Sequence, residues 1–130
     1  MYAFLGWLNV AFLVIMMAPY WLRFLNKRVL HLKDGAYGKT VKVLRAIHKP
    51  LGLSILTIAL LHGYLALGAL RLHTGSILWM VLFITAAFGA LFYFTKKKSL
   101  FAWHKGMVIG VILLLLLHLI YPSAVYYLLH

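Results

Sequence analysis

The chain has no cysteine and a single acidic residue, Asp34, and these two absences remove much of the chemistry that a 130-residue protein can carry. Without cysteine there is no disulfide, no thiolate-held iron–sulfur cluster and no Cys-x-x-Cys-His site for covalent haem attachment. Without glutamate, and with one aspartate, the chain lacks residues for paired-carboxylate acid–base catalysis, oxygen-ligand calcium sites and acidic proton relays within a membrane. Charged residues of either sign are scarce, at 11%. Hydrophobic residues make up 65%, outside the range of a soluble domain of this length, so a membrane protein is expected. Thirteen Lys and Arg against one acid give a net charge of +12. With long apolar runs, that surplus reads as membrane orientation, and no nucleic-acid partner is expected.

Four apolar spans are predicted, at about 2–22, 46–70, 76–95 and 103–121, each long enough to cross roughly 30 Å of hydrocarbon. The expected fold is all-α, a single four-helix transmembrane bundle over 1–130 running up-down-up-down. The first span has no basic residue before it and no small-residue cleavage site after it, so a removable signal peptide is disfavoured. Pro19 is placed to kink its end, and Tyr20 and Trp21 to form an aromatic belt. A polar loop from Asn26 to about Val43 follows, with Gly35 and Gly38 as turn signals and either a hairpin or an interfacial segment expected. Pro50 is placed in the first turn of the second span, where a missing backbone donor is tolerated. Lys96, Lys97 and Lys98 end the third span, and an apolar tail follows Pro122.

Loop charge sets the orientation, because Lys and Arg in short loops concentrate on the cytoplasmic side. Arg23, Lys27, Arg28, Lys33, Lys39, Lys42, Arg45, Lys49, Lys96, Lys97, Lys98 and Lys105 flank the first and third loops; Arg71 stands alone in the second. Both termini are therefore expected outside, in a multi-pass protein of the cytoplasmic membrane, with spans two and four parallel.

Within those parallel spans the histidines repeat: His48 and His62 are fourteen residues apart, as are His104 and His118. Fourteen helical residues separate two side chains by roughly 21 Å and return them to within roughly 40° of one face. Two such helices pair His48 with His104 at an inner level and His62 with His118 at an outer one. Two imidazoles per level are too few for a closed structural zinc site and suit the axial ligation of a b-type haem. The expected cofactors are two non-covalent haems b, each with two histidine ligands, and these four residues are the candidate metal ligands. The alternative use of a histidine in a span is packing or helix bridging. His31, His73 and His130 are assigned to loops or the terminus and left out of the site.

Around the candidate ligands, Arg45 is three residues before His48, placed to meet haem propionates by charge-assisted hydrogen bonds. Gly52, four residues after His48, is expected to clear space for a macrocycle, with Gly63, Gly68, Gly106 and Gly110 serving clearance or helix packing. Lys49 and Lys105 are expected to snorkel, and Arg71 is the cation nearest the outer level. Ala-Ile-His-Lys at 46–49 and Ala-Trp-His-Lys at 102–105 suggest duplication of a two-helix unit.

Two helices each carrying His-x13-His resemble the dihaem b-type membrane cytochromes, namely the four-helix haem core of cytochrome b and the membrane domains of ferric reductases and NADPH oxidases. The resemblance covers chiefly Ala46 to Tyr121 and implies the same assignment of His48 with His104 and His62 with His118. The Pro-Glu-Trp-Tyr motif of the quinol site is absent, as is any flavin- or nicotinamide-binding domain. The expected function is electron transfer across the membrane between a cytoplasmic or quinol donor and an external acceptor, as a subunit of an oxidoreductase. The expected partners are redox proteins, such as a flavoprotein or another oxidoreductase subunit, with quinone as a candidate donor. The competing readings are a stand-alone membrane reductase of oxygen or ferric iron, and a haem-free anchor or assembly protein.

Overall fold

A computed structural model describes residues 1–69 and 71–129; Leu70, the predicted end of the second span, and His130 lie outside the described residues. The described chain is helical: α1 Tyr2–Leu25, continued by a π-helical turn Asn26–Leu30, then α2 Gly35–Leu67, α3 Thr74–Thr95, α4 Lys98–Ile120 and the short α5 Ala124–Leu129. Four of these helices are long and apolar enough to cross a membrane. Large side chains on their outer faces, such as Phe4, Trp7, Phe83, Ile84, Leu113 and Leu116, stay exposed, which a bilayer accommodates and water does not. The protein is a multi-pass membrane protein. It divides into two compact units, Met1–His62 and Gly63–His130.

In the first unit α1 and α2 run antiparallel, with Tyr2 beside His62 and Met16 beside His48. The connection is tight because the π-helical turn ends on His31 in the left-handed region, φ 51°, with its N–H donating to the Asn26 carbonyl at 2.8 Å. Asn26 then holds the chain from both sides: its Oδ1 accepts from the Leu32 N–H at 2.7 Å, and its Nδ2 donates to the Leu32 carbonyl at 3.1 Å.

The expected polar loop up to Val43 is therefore mostly helix. Asp34 ends the irregular stretch, its Oδ1 accepting from the Tyr37 N–H at 3.1 Å and satisfying one of the first-turn donors that a helix leaves open. Gly35, expected as a turn signal, opens this helix directly after Asp34. The thirty-three residues of α2 would reach about 50 Å, well past the length a bilayer needs. Its first third is amphipathic. Tyr37, Val41, Leu44 and His48 fall on one side and are buried or half-buried, while Lys39, Lys42, Arg45 and Lys49 fall on the other and are exposed. Pro50 consequently lies in the interior of α2, where no proline N–H can reach the Ala46 carbonyl. Gly68, φ 65°, stops the helix by donating to the Tyr64 carbonyl at 2.9 Å, so this glycine is a C-cap.

In the second unit α3 and α4 form a hairpin through two residues, Lys96 and Lys97. Lys96 takes the left-handed conformation, φ 56°, and donates to the Phe92 carbonyl at 2.8 Å. The expected start of the fourth span at Trp103 moves to Lys98, since neither proline nor glycine interrupts 98–103. Aromatic rings close this end, Phe92 stacking on Phe101 at 4.9 Å and Phe88 on Trp103 at 6.1 Å, with the Lys105 ammonium 4.8 Å from the Phe101 ring.

Heptad spacing places the core of each hairpin. His48, Ile55 and His62 are seven apart on α2, and His104, Val111 and His118 are seven apart on α4; both midpoints, Ile55 and Val111, are buried. The candidate ligands thus lie on the same seam as the most enclosed apolar residues.

Asp34→Ala should fray the first turn of α2. The expected loss is about 1 kcal/mol of local stability, hence roughly fivefold faster amide exchange over residues 35–39 with exchange at the seam unchanged, measured by hydrogen–deuterium exchange in lipid nanodiscs.

Candidate functional site

Each seam histidine is held by the other helix of its own hairpin. His48 Nδ1 lies 3.2 Å from the Met16 carbonyl oxygen, His62 Nδ1 2.8 Å from that of Tyr2, and His104 Nδ1 2.7 Å from that of Thr85. A carbonyl only accepts, so in all three rings Nδ1 carries the proton and donates. His118 Nδ1 lies 3.1 Å from Thr74 Oγ1, and the hydroxyl proton is engaged by the Pro122 carbonyl. With the hydroxyl proton on the Pro122 carbonyl, Thr74 accepts from His118, which then has the same tautomer as the others. In a neutral imidazole protonated at Nδ1, Nε2 bears the lone pair. That nitrogen is the one a metal would take, and a donated Nδ1–H both fixes ring orientation and raises ligand basicity. The donor set fits the axial ligation of a b-type haem.

All four rings are half-buried, and three glycines let the backbone approach them. A Cβ on Gly6 would lie 3.0 Å from His62 Cε1, one on Gly75 3.1 Å from His118 Cε1, and one on Gly89 3.0 Å from His104 Nδ1. Such separations are tighter than ordinary van der Waals contact, so each glycine is a niche for one ring. None of the three is close in sequence to a candidate ligand, and they were not among the expected clearance residues. A spacing signal was present, because Gly75 and Gly89 are fourteen apart, like the histidines they face.

The glycines expected to clear a macrocycle have other surroundings. Gly52 faces α1, where an added Cβ would meet Met16 Cε at 3.6 Å, an ordinary contact. Around Gly63 and Gly106 nothing lies within 4 Å of such a Cβ, and at Gly110 Val81 is the nearest neighbour, at 4.0 Å. Arg45 is exposed at the edge of the basic face of α2, about 60° around the helix from His48. Among the left-out histidines, His31 caps the π-helical turn, while His73 precedes α3 with its Nδ1 3.3 Å from Thr74 Oγ1. Among the described residues no three histidine or acidic side chains gather into a group able to hold a metal ion.

The two hairpins share one register. Met16 and Thr85, the partners of His48 and His104, are 69 positions apart, and so are Gly6 and Gly75, the niches of His62 and His118. On the ligand helices His48 and His104 are 56 apart, as are His62 and His118. The suggested duplication thus extends from the His-Lys sequences to the residues that hold the rings. Comparison with protein-family models, with curated proteins and with solved structures finds no match in any of the three.

Gly89→Ala should press on a ring already tied to Thr85 and lower the stability of the chain by about 1–3 kcal/mol. Gly106→Ala, with open space around it, should be neutral or gain up to about 1 kcal/mol from helix propensity. Denaturant unfolding in detergent micelles measures both, and equal effects at the two positions would contradict the niche.

Proposed function

We propose that the chain is a dihaem b-type cytochrome that carries electrons across the cytoplasmic membrane, as a subunit of an oxidoreductase. The observation that supports this most is the common state of four histidines. Each is set at a matched interval on an apolar helix, with its Nδ1–H given to a neighbouring helix or turn and its Nε2 lone pair suited to iron. The equal spacing and the charge of the loops assign His48 with His104 to one iron and His62 with His118 to the other. A haem bound by such a pair supplies reversible one-electron chemistry. The chain's own residues supply ring orientation through Met16, Tyr2, Thr85 and Thr74, and close approach through Gly6, Gly75 and Gly89.

The basic ends of the hairpins are proposed to face the cytoplasm, with both termini outside. There the exposed Lys39, Lys42, Arg45 and Lys49 of α2, with Lys96, Lys97 and Lys98 between α3 and α4, form cationic surfaces suited to an acidic redox partner such as a flavoprotein. Quinone remains a candidate donor with no assigned residues.

One structural observation also favours a haem-free anchor: the bonds that orient the rings join neighbouring helices and stabilise each hairpin by themselves. A spectrum separates the two readings. Protein purified after haem-replete expression should show a reduced b-type absorption band and two haems per chain, and a colourless preparation would reject the cytochrome. His62→Ala and His118→Ala should each remove the same one of the two haems; loss of both from either change would overturn the assignment by level. Neutralising Lys96, Lys97 and Lys98 should slow reduction by an acidic redox protein several-fold at low salt and leave the rate at high salt unaltered, as measured by stopped-flow absorbance.

A further inference from the structure

The Nδ1 partner of His118 is a side chain where those of the other three are backbone carbonyls, and the difference follows from where α3 begins. In the shared register the counterpart of Tyr2, whose carbonyl holds His62, is Arg71, which precedes the first turn of α3 at Thr74. The Arg71 carbonyl is already engaged by the Ser76 hydroxyl. Thr74 fills the role with a side chain. It is 1% exposed, and its Oγ1 has three polar neighbours: the Pro122 carbonyl, His118 Nδ1 at 3.1 Å and His73 Nδ1 at 3.3 Å. Because the hydroxyl proton goes to Pro122, the oxygen turns its lone pairs toward the imidazoles, and donation to a carbonyl strengthens it as an acceptor. The result is a chain of hydrogen bonds from His118 on α4 through Thr74 on α3 to the turn that leads into α5.

We propose that Thr74 is the positioning residue of His118: its hydroxyl holds the Nδ1–H tautomer, sets the donor strength of Nε2 and couples this one ligand to the Pro122 turn. This rests on the dihaem reading for its redox consequence, though not for the tautomer. A hydrogen bond from Nδ1–H gives the ring imidazolate character, which stabilises the ferric state of a ligated iron and lowers its midpoint potential. Backbone carbonyls at the other three positions survive any side-chain substitution. The acceptor described for His118 is a side chain, which a single substitution removes.

The test compares Thr74→Val, which keeps the shape and removes the hydroxyl, with Thr74→Ser, which keeps the hydroxyl. In redox titrations of the full chain in nanodiscs, Thr74→Val should raise one of the two midpoint potentials and leave the other in place, while Thr74→Ser should restore the wild-type pair. Equal shifts of both potentials, or none, would overturn the proposal. Nitrogen-15 spectra of the histidine-labelled wild-type chain read the tautomer independently, with His118 assigned by its loss in His118→Gln. The proton should reside on Nδ1, and a proton on Nε2 would overturn the proposal even if Thr74→Val fails to fold. If the chain binds no haem, the cytochrome reading falls, and the same spectra of the haem-free protein still decide the role of Thr74.

Discussion

The hydrogen bond from each seam imidazole to the opposite helix of its hairpin is the constraint on which the rest of the structure depends. A ring nitrogen in an apolar interior must find a partner, and a helix whose carbonyls are already bonded along its own axis offers one only where another backbone comes close. A residue without a Cβ beside the ring eases that approach, as Gly6, Gly75 and Gly89 do for His62, His118 and His104. His48 reaches the Met16 carbonyl without such a glycine, while Gly52 brings α2 against the Met16 side chain. The bond, the approach and the tautomer form one linked condition.

The same condition explains the repeat of fourteen. Two rings on one helix can face the same neighbouring helix only if a near-integral number of turns lies between them, and fourteen residues make almost four. Ile55 and Val111 occupy the half-way points and are buried, so each hairpin closes along a strip that alternates polar and apolar contacts. Elsewhere the spans meet through side-chain packing, as where Phe92 stacks on Phe101 and Phe88 on Trp103. Their outer faces are apolar, as a bilayer requires and as packing against lipid leaves unrefined. Hairpin connections supply the remaining order: Asn26 clamps Leu32 in the first unit, and Lys96 with Lys97 turns the second in two residues.

Where the two hairpins diverge, local chain geometry is the cause. The first begins its helix at Tyr2, so a helical carbonyl stands at the level of His62; the second begins at Thr74, so a hydroxyl takes that place for His118. The first also carries α2 beyond the apolar run by a turn-rich basic stretch that Asp34 caps into helix, whereas α3 stops at Thr95. Equal ligand spacing therefore sits in hairpins of unequal length and with unequal ring partners.

The sequence by itself determined the helical class, the four apolar crossings and the interval between the histidines, because hydrocarbon thickness and helical pitch act on residue type and spacing alone. It misplaced the start of α2, where Asp34-Gly35 carries a turn signal and a helix cap in the same two residues, and with it the setting of Pro50. The third span was legible to within two residues at its start and in full at its end. What only the tertiary structure decided is the set of partners: Met16, Tyr2, Thr85 and Thr74 for the rings, and Gly6, Gly75 and Gly89 for their niches. These residues lie far from the histidines along the chain, and three of the four contacts use backbone carbonyls, which every residue type provides. A backbone acceptor leaves no mark in the side-chain pattern, so its choice is fixed only when two helices meet.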